Sequence, residues 1–144
     1  MKYISLRVLP IFGFLIALLS GCDDARTAAA QITGHAEAVQ VVFDPVRLSY
    51  EQLLGYFFRL HDPTTLNQQH NDVGVQYRSA IFYTSDQQKQ TAERVKSEVD
   101  KSGKWKRPLT TEITQATQFY PAEAYHQDYL QKNPNGYNCH YLRD

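Results

Sequence analysis

Residues 36–43 read Ala-Glu-Ala-Val-Gln-Val-Val-Phe, and Val39, Val41 and Phe43 alternate with smaller or polar positions. A period of two puts successive side chains on opposite faces of an extended chain, so a strand is predicted here, stopped by Asp44-Pro45. The period then changes. Leu53, Leu54, Phe57, Phe58 and Leu60 fall on one face of a helix. Ser49 followed by Gln52 predicts a capping box at its start, and Asp62-Pro63 ends it near His61.

Residues 62–76 show no period and predict a polar loop, long for a connection in a compact domain and therefore functional or mobile. Alternation returns over residues 77–83, with Tyr77, Ser79, Ile81 and Tyr83 on one face and Ala80 and Phe82 on the other. Ser85 and Gln88 cap a second helix over residues 86–102, with Ala92, Val95 and Val99 inward. Leu109, Thr111 and Ile113 alternate in a third strand. Pro121 suits the first turn of a short helix over residues 121–130, and Pro134-Asn135-Gly136 is a turn. The order β-α-β-α-β-α predicts an α+β fold, a two-layer α/β sandwich.

The beginning of the chain follows another logic. Met1-Lys2 and Arg7 flank the start of an apolar run over residues 8–19, interrupted by Pro10 and Gly13. A membrane-spanning helix needs about 20 apolar residues, so the run is too short and reads as a signal peptide. Leu19-Ser20-Gly21-Cys22 resembles the bacterial lipobox, whose cysteine is lipidated and becomes the new N-terminus. The alternatives are an ordinary signal peptide with a chance cysteine, or an uncleaved anchor. The expected organisation is a signal peptide and lipobox over residues 1–22, a solvated tether over 23–32 and one domain over 33–144. Acyl chains contribute about 0.8 kcal/mol per buried CH₂, so lipidation of Cys22 would hold the domain on a membrane. The expected location is the cell envelope, on the periplasmic or extracellular side.

The totals narrow the function classes. A chain of 144 residues accommodates one domain. Its 15 basic and 15 acidic residues balance, so no basic patch argues for a nucleic-acid partner. Apolar residues at 42%, with ten Tyr and seven Phe, exclude a disordered class. The five histidines lie on different elements, without metal-ligand spacing, so neither a metal nor a cofactor is expected. Cys22 and Cys139 do not imply a disulfide framework.

Three places carry candidate chemistry. Glu37, at the start of the first strand beside apolar neighbours, is either a general acid with a raised pKa or a solvated strand-end carboxylate. Asn71-Asp72-Val73-Gly74-Val75-Gln76-Tyr77-Arg78 is either a ligand-binding loop or a turn closed by an Asx-type hydrogen bond. Cys139, flanked by Tyr137, Asn138 and His140, is either a thiol activated by a nearby imidazolium or idle.

Several motifs occur in one order: Gly34-His35-Ala36-Glu37-Ala38-Val39, His61-Asp62-Pro63-Thr64-Thr65, Asn71-Asp72-Val73-Gly74, Gln76-Tyr77-Arg78-Ser79-Ala80-Ile81, Phe119-Tyr120-Pro121-Ala122-Glu123, Tyr125-His126-Gln127 and Asn133-Pro134-Asn135-Gly136-Tyr137. From about Thr33 to the C-terminus the chain resembles the A-type peptide methionine sulfoxide reductases. The resemblance implies an α/β plait of ferredoxin-like type, a monomer and a thiol mechanism. A thiolate attacks the sulfur of the S-sulfoxide while an acid protonates its oxygen. The thiol becomes a sulfenic acid, a resolving cysteine closes a disulfide, and a thioredoxin-like donor reduces it. By motif match Glu37 is the acid, Asp72 and Tyr77 hold the sulfoxide oxygen or a water, and Cys139 resolves. The implied substrates are proteins with oxidised methionine, or free methionine sulfoxide.

The chain also departs from the family pattern. No Gly-Cys-Phe-Trp, the family's nucleophile motif, occurs in the sequence, and no other residue is identified as the nucleophile. Cys22 is followed by Asp23-Asp24 instead of an aromatic pair, and Trp105 lies in a different segment. His70, Val75 and Ala124 also replace residues usual in the family. The expectation is a plait without its first strand and helix, with little or no turnover. The competing readings are a non-catalytic, membrane-tethered binding lipoprotein and a degenerate fragment.

Overall fold

The computed structural model describes residues 6–7, 34–136 and 140–143. Its elements in chain order are β1 (Leu6–Arg7), β2 (Val41–Val42), α1 (Tyr50–Leu60), β3 (Gln68–Gln69), β4 (Asp72–Val73), a 3-10 helix over Val75–Tyr77, β5 (Ala80–Tyr83), α2 (Asp86–Lys101), β6 (Glu112–Gln115) and α3 (Tyr129–Lys132). Cys22, Cys139 and the expected tether lie outside the described residues.

β5 is the centre of the molecule. It pairs with β6 in parallel, Ala80 opposite Glu112 through Tyr83 opposite Gln115, with α2 as the crossover. Its alternation separates two cores, as the apolar pattern predicts. Ile81 packs with Leu54 and Phe58 of α1, Ala92 and Val95 of α2, and Leu109. Ala80 and Phe82 pack with Ala36 and Ala38, and Phe119 closes that cluster. Helices therefore cover one face of β5, and an extended segment covers the other. The class is α+β, as expected.

The helices form where their caps and apolar faces agree. Ser49 Oγ accepts the Gln52 N–H at 3.1 Å, and Gln52 Oε1 accepts the Ser49 N–H at 2.9 Å, so both halves of the capping box are present. Ser49→Ala is expected to destabilise the protein by about 1 kcal/mol, measured as a lower urea midpoint with an unchanged m-value.

Other elements differ from their sequence-based bounds. Residues 36–40 are extended, but the ladder is confined to β2, which pairs in parallel with β1. The strand expected from Tyr77 begins at Ala80, because Tyr77 ends the 3-10 helix. The third strand begins at Glu112, not Leu109. The Leu109 N–H donates to Asp100 Oδ1 at 3.0 Å and the Thr110 N–H to Pro63 O at 2.8 Å, which straps these residues to α2 and the loop. The helix expected over residues 121–130 is reduced to turns and α3, because Asp128 is left-handed at φ 55°. The polar loop contains the antiparallel pair β3–β4, with Gln69 opposite Asp72. Asn67 and His70, both at φ 51°, bracket β3.

Candidate functional site

The segment leading into β2 crosses the 3-10 turn leading into β5. The Glu37 N–H donates to Gln76 O at 2.8 Å, so Glu37 lies against the residue that precedes Tyr77. Glu37 is half-buried between buried Ala36 and Ala38. Tyr77 is half-buried at the end of the turn, and Asp72 is half-buried at the start of β4. Asp72 and Tyr77 thus belong to one short hairpin-and-turn segment, and a main-chain hydrogen bond backs Glu37 onto that segment.

Gly74 makes the bend between β4 and the turn. Its φ of 153° and ψ of 158° suit glycine alone among common residues. A Cβ there would lie 2.8 Å from Gln76 Cδ and 2.9 Å from Nε2, and closer still to Oε1. The glycine therefore leaves room for the Gln76 side chain, which is 1% exposed. Among the described residues neither the Nε2 nor the Oε1 of Gln76 has a hydrogen-bond partner. Gln76 stands in the candidate loop and at the head of the Gln76–Ile81 motif, but neither assigns it a role of its own.

A third motif converges on the same place. The His35 ring stacks on Tyr120, with centroids 5.5 Å apart and an interplanar angle of 21°. Phe119 packs on the Ala36 and Ala38 cluster. The Gly34–Glu37, Gln76–Tyr77 and Phe119–Tyr120 motifs, distant in sequence, are therefore neighbours in space.

The His61-Asp62-Pro63-Thr64-Thr65 motif is the frame under the hairpin. Thr64 donates to Asp62 Oδ1 from its N–H at 2.8 Å and from its hydroxyl at 2.7 Å. Burial disfavours the Asp62 charge. The two Thr64 hydrogen bonds and the Arg107 and Arg143 guanidinium groups outweigh it and hold the carboxyl below its ordinary value. The Gln69 side chain donates to Asp62 O at 2.7 Å and accepts the Asp62 N–H at 3.1 Å, which fixes β3.

His61 begins a buried polar chain that its motif did not announce. Its Nδ1 lies 2.8 Å from Phe57 O, its Nε2 lies 2.7 Å from Ser79 Oγ, and Ser79 Oγ lies 2.8 Å from Thr111 Oγ1. Lys96 Nζ closes the far end on Thr111 O at 2.6 Å. Burial pushes the imidazole down to about 4. His140 and Arg143 add to that, while the Phe57 carbonyl and Asp62 oppose it.

A cleft of about 290 Å³ is lined by Asp62, Thr65, Gln68, His70, Tyr141 and Arg143, and by none of Glu37, Asp72 and Tyr77. Among the described residues no group of three or more His, Cys, Asp and Glu is placed to hold a metal ion. No helix among them is long and apolar enough to cross a membrane. Cys139 and Cys22, expected to resolve and to carry lipid, are outside the described residues and gain no position relative to Glu37.

The profile of the family described as "Peptide methionine sulfoxide reductase" matches residues 24–144. Peptide methionine sulfoxide reductase MsrA 1 of Mesorhizobium japonicum is 52% identical over 124 residues, which is 86% of this chain and 72% of that protein. Peptide methionine sulfoxide reductase MsrA of Nocardia farcinica is 54% identical over 110 residues, 76% of this chain and 65% of that protein. Among solved structures, Mxr1 from Saccharomyces cerevisiae in reduced form superposes with a TM-score of 0.67 at 44% identity, over 71% of this chain and 56% of that one. Methionine sulfoxide reductase A of Corynebacterium diphtheriae superposes with a TM-score of 0.64 at 35% identity, over 83% and 61%. The chain therefore spans about two-thirds of the length of these curated relatives and less of the solved structures.

Proposed function

The chain belongs to the peptide methionine sulfoxide reductase family, and from that membership we propose that its folded part binds the sulfoxide of an oxidised methionine, in a protein or as the free amino acid, for thiol-dependent reduction of the S epimer. The observation that carries the reading is the 2.8 Å hydrogen bond from Glu37 N–H to Gln76 O, which backs the acid onto the turn of Asp72 and Tyr77.

A sulfoxide oxygen is a strong acceptor and a poor leaving group. In this proposal the protonated Glu37 carboxyl donates to it, and Tyr77 and Asp72 hold it or an ordered water. A thiolate then attacks the substrate sulfur, and an S–S bond forms as the protonated oxygen leaves as water. Water next attacks the sulfur of the former thiolate and loses a proton; the S–S bond breaks, its electron pair goes to the substrate sulfur, which leaves as a thioether, and the thiol sulfur is left as a sulfenic acid. A second thiol, Cys139, condenses with the sulfenic acid and releases water, and a thioredoxin-like dithiol reduces the resulting disulfide.

The 144 residues contain no Gly-Cys-Phe-Trp. The chain by itself is therefore proposed to bind sulfoxide with little or no turnover. Cys22 is proposed to carry lipid and to place the domain, as a monomer, on an envelope membrane. A binding lipoprotein without catalysis is the second reading, favoured by the same missing motif.

Purified protein is titrated with the S and R epimers of N-acetylmethionine sulfoxide, and separately incubated with methyl p-tolyl sulfoxide and dithiothreitol. Preferential S binding is expected, with turnover close to the thiol background. Glu37→Ala removes one donor and is expected to weaken binding about three- to tenfold, whereas Glu37→Gln still donates and retains it. Equal, undetectable binding of both epimers would remove the site. Fast stereospecific turnover lost in Glu37→Gln would show that a resident thiol works.

A further inference from the structure

We propose that Arg78 is a positioning residue that locks the segment carrying Glu37 to the turn carrying Tyr77. The inference rests on the sulfoxide-site reading for its functional meaning. Its geometry stands independently.

Residues 34–37 cross residues 75–78. The 3-10 turn has no side-chain cap at Gly74; it is closed by Tyr77 N–H to Gly74 O at 3.0 Å and by a longer bond, Arg78 N–H to Val75 O at 3.4 Å. The buried Gln76 carboxamide has no hydrogen-bond partner among the described residues. The main-chain bond from Glu37 N–H to Gln76 O joins the two segments.

The Arg78 guanidinium adds a side-chain tie. Its Nη1 donates to Val75 O at 2.8 Å, capping the turn on which it sits. The same nitrogen reaches Gly34 O at 3.3 Å, across the crossing. Its Nε donates to Glu112 Oε2 at 3.1 Å, which fixes the plane of the group against β6. A planar fork with donors in fixed directions serves three acceptors on three segments at once. Lysine carries the charge, but a single ammonium on a flexible stem cannot hold that arrangement. The Arg78 side chain is 18% exposed, so these bonds are shielded, whereas Glu112 at 52% is a solvated end of the clamp.

The paired residues run in opposite directions: Gly34 meets Arg78 and Glu37 meets Gln76. Losing the outer tie frees the segment to pivot about the inner one. The Glu37 bond then bears the segment without the outer tie and opens more readily, and the hydrogen-bonded core of β5 and β6 is spared.

The test compares Arg78→Lys with Glu112→Gln in the full chain, by amide hydrogen exchange and by titration with N-acetylmethionine S-sulfoxide. In Arg78→Lys, protection of the Glu37 amide is expected to fall at least tenfold, with amides of β5 and α2 changed less than threefold. Sulfoxide affinity is expected to fall at least fivefold. Glu112→Gln is expected to leave both within twofold. Unchanged Glu37 protection in Arg78→Lys, or an equal loss across β5 and α2, overturns the positioning role. If wild-type protein binds no sulfoxide, the site reading fails on its own, and the exchange pattern still decides whether Arg78 holds Glu37.

Discussion

On acidification from pH 6.5 to about 4, the folded chain is expected to lose about 3 kcal/mol of stability through one side chain, His61. With Nδ1–H donating to the Phe57 carbonyl, Nε2 must accept from the Ser79 hydroxyl, and Ser79 in turn accepts from Thr111. A proton on Nε2 turns that acceptor into a donor, so the Ser79 and Thr111 hydroxyls must both reverse. It also places a charge where the ring is 6% exposed and where Arg143 and His140 are already unfavourable. Burial lowers the folded pKa, so the unfolded chain binds more protons between about 4 and 6.5. Stability is fully present above the unfolded value and declines as the pH falls towards the folded one. Carboxylates such as Asp62 also lose stability in acid, so the measurement must be a difference. Urea midpoints of wild type and His61→Gln, which cannot titrate, are compared from pH 7 to 4. Any wild-type advantage at pH 7 should shrink by about 3 kcal/mol, and a flat difference, or an imidazole titrating near 6.5 by NMR, defeats the account.

The parts of the fold that the sequence predicts well are those whose signals are local. Ser49 and Gln52 sit three positions apart and cap α1 by contacts within one turn. The alternation around Ile81 is read correctly because β5 is packed on both faces, so its period of two is imposed by burial. The start of β6 is misplaced because Leu109, Thr111 and Ile113 alternate as a strand would, yet the N–H groups of Leu109 and Thr110 go to Asp100 and Pro63, partners that no local pattern reveals. The β3–β4 pair is invisible for the same reason, since side-chain bonds such as Gln69 to Asp62 fix it.

The candidate site divides in the same way. Spacing alone leaves Glu37 as either an acid or a solvated strand end. Motif order supplies its proposed role, and only the fold brings Gln76 beneath it. His61 is legible as part of a motif, but the Ser79–Thr111–Lys96 chain joins the residue before β5, the residue before β6 and one residue of α2. The sequence shows a buried polar network as nothing more than scattered hydroxyl residues.

Gly74→Ala is expected to be the most damaging small substitution, at about 2–6 kcal/mol, and its two causes can be separated. The first is conformational. At φ 153° and ψ 158° a residue with a Cβ is strained by about 1–3 kcal/mol wherever the methyl points. The second is overlap with the Gln76 carboxamide, whose nearest atoms would sit under 3 Å from the new methyl. Gln76 cannot yield by swinging into solvent, because it is 1% exposed. It can yield without breaking a hydrogen bond, because its side chain makes none. Overlap should therefore cost about 1–3 kcal/mol of packing and no more. Gly74→Ala combined with Gln76→Ala should recover that portion and leave the conformational strain, giving a coupling energy of similar size. Gly55→Ala calibrates the sign. It lies inside α1 with nothing within 4 Å of the new methyl, so it should stabilise by about 0.5–1 kcal/mol. Urea denaturation of Gly74→Ala, Gln76→Ala, their double variant and Gly55→Ala separates the terms. Equal effects at Gly74 and Gly55, or additive behaviour in the Gly74–Gln76 pair, would mean that the Gly74 bend is not shaped around Gln76. The turn carrying Tyr77 would then owe its position to something other than the fit between these two residues.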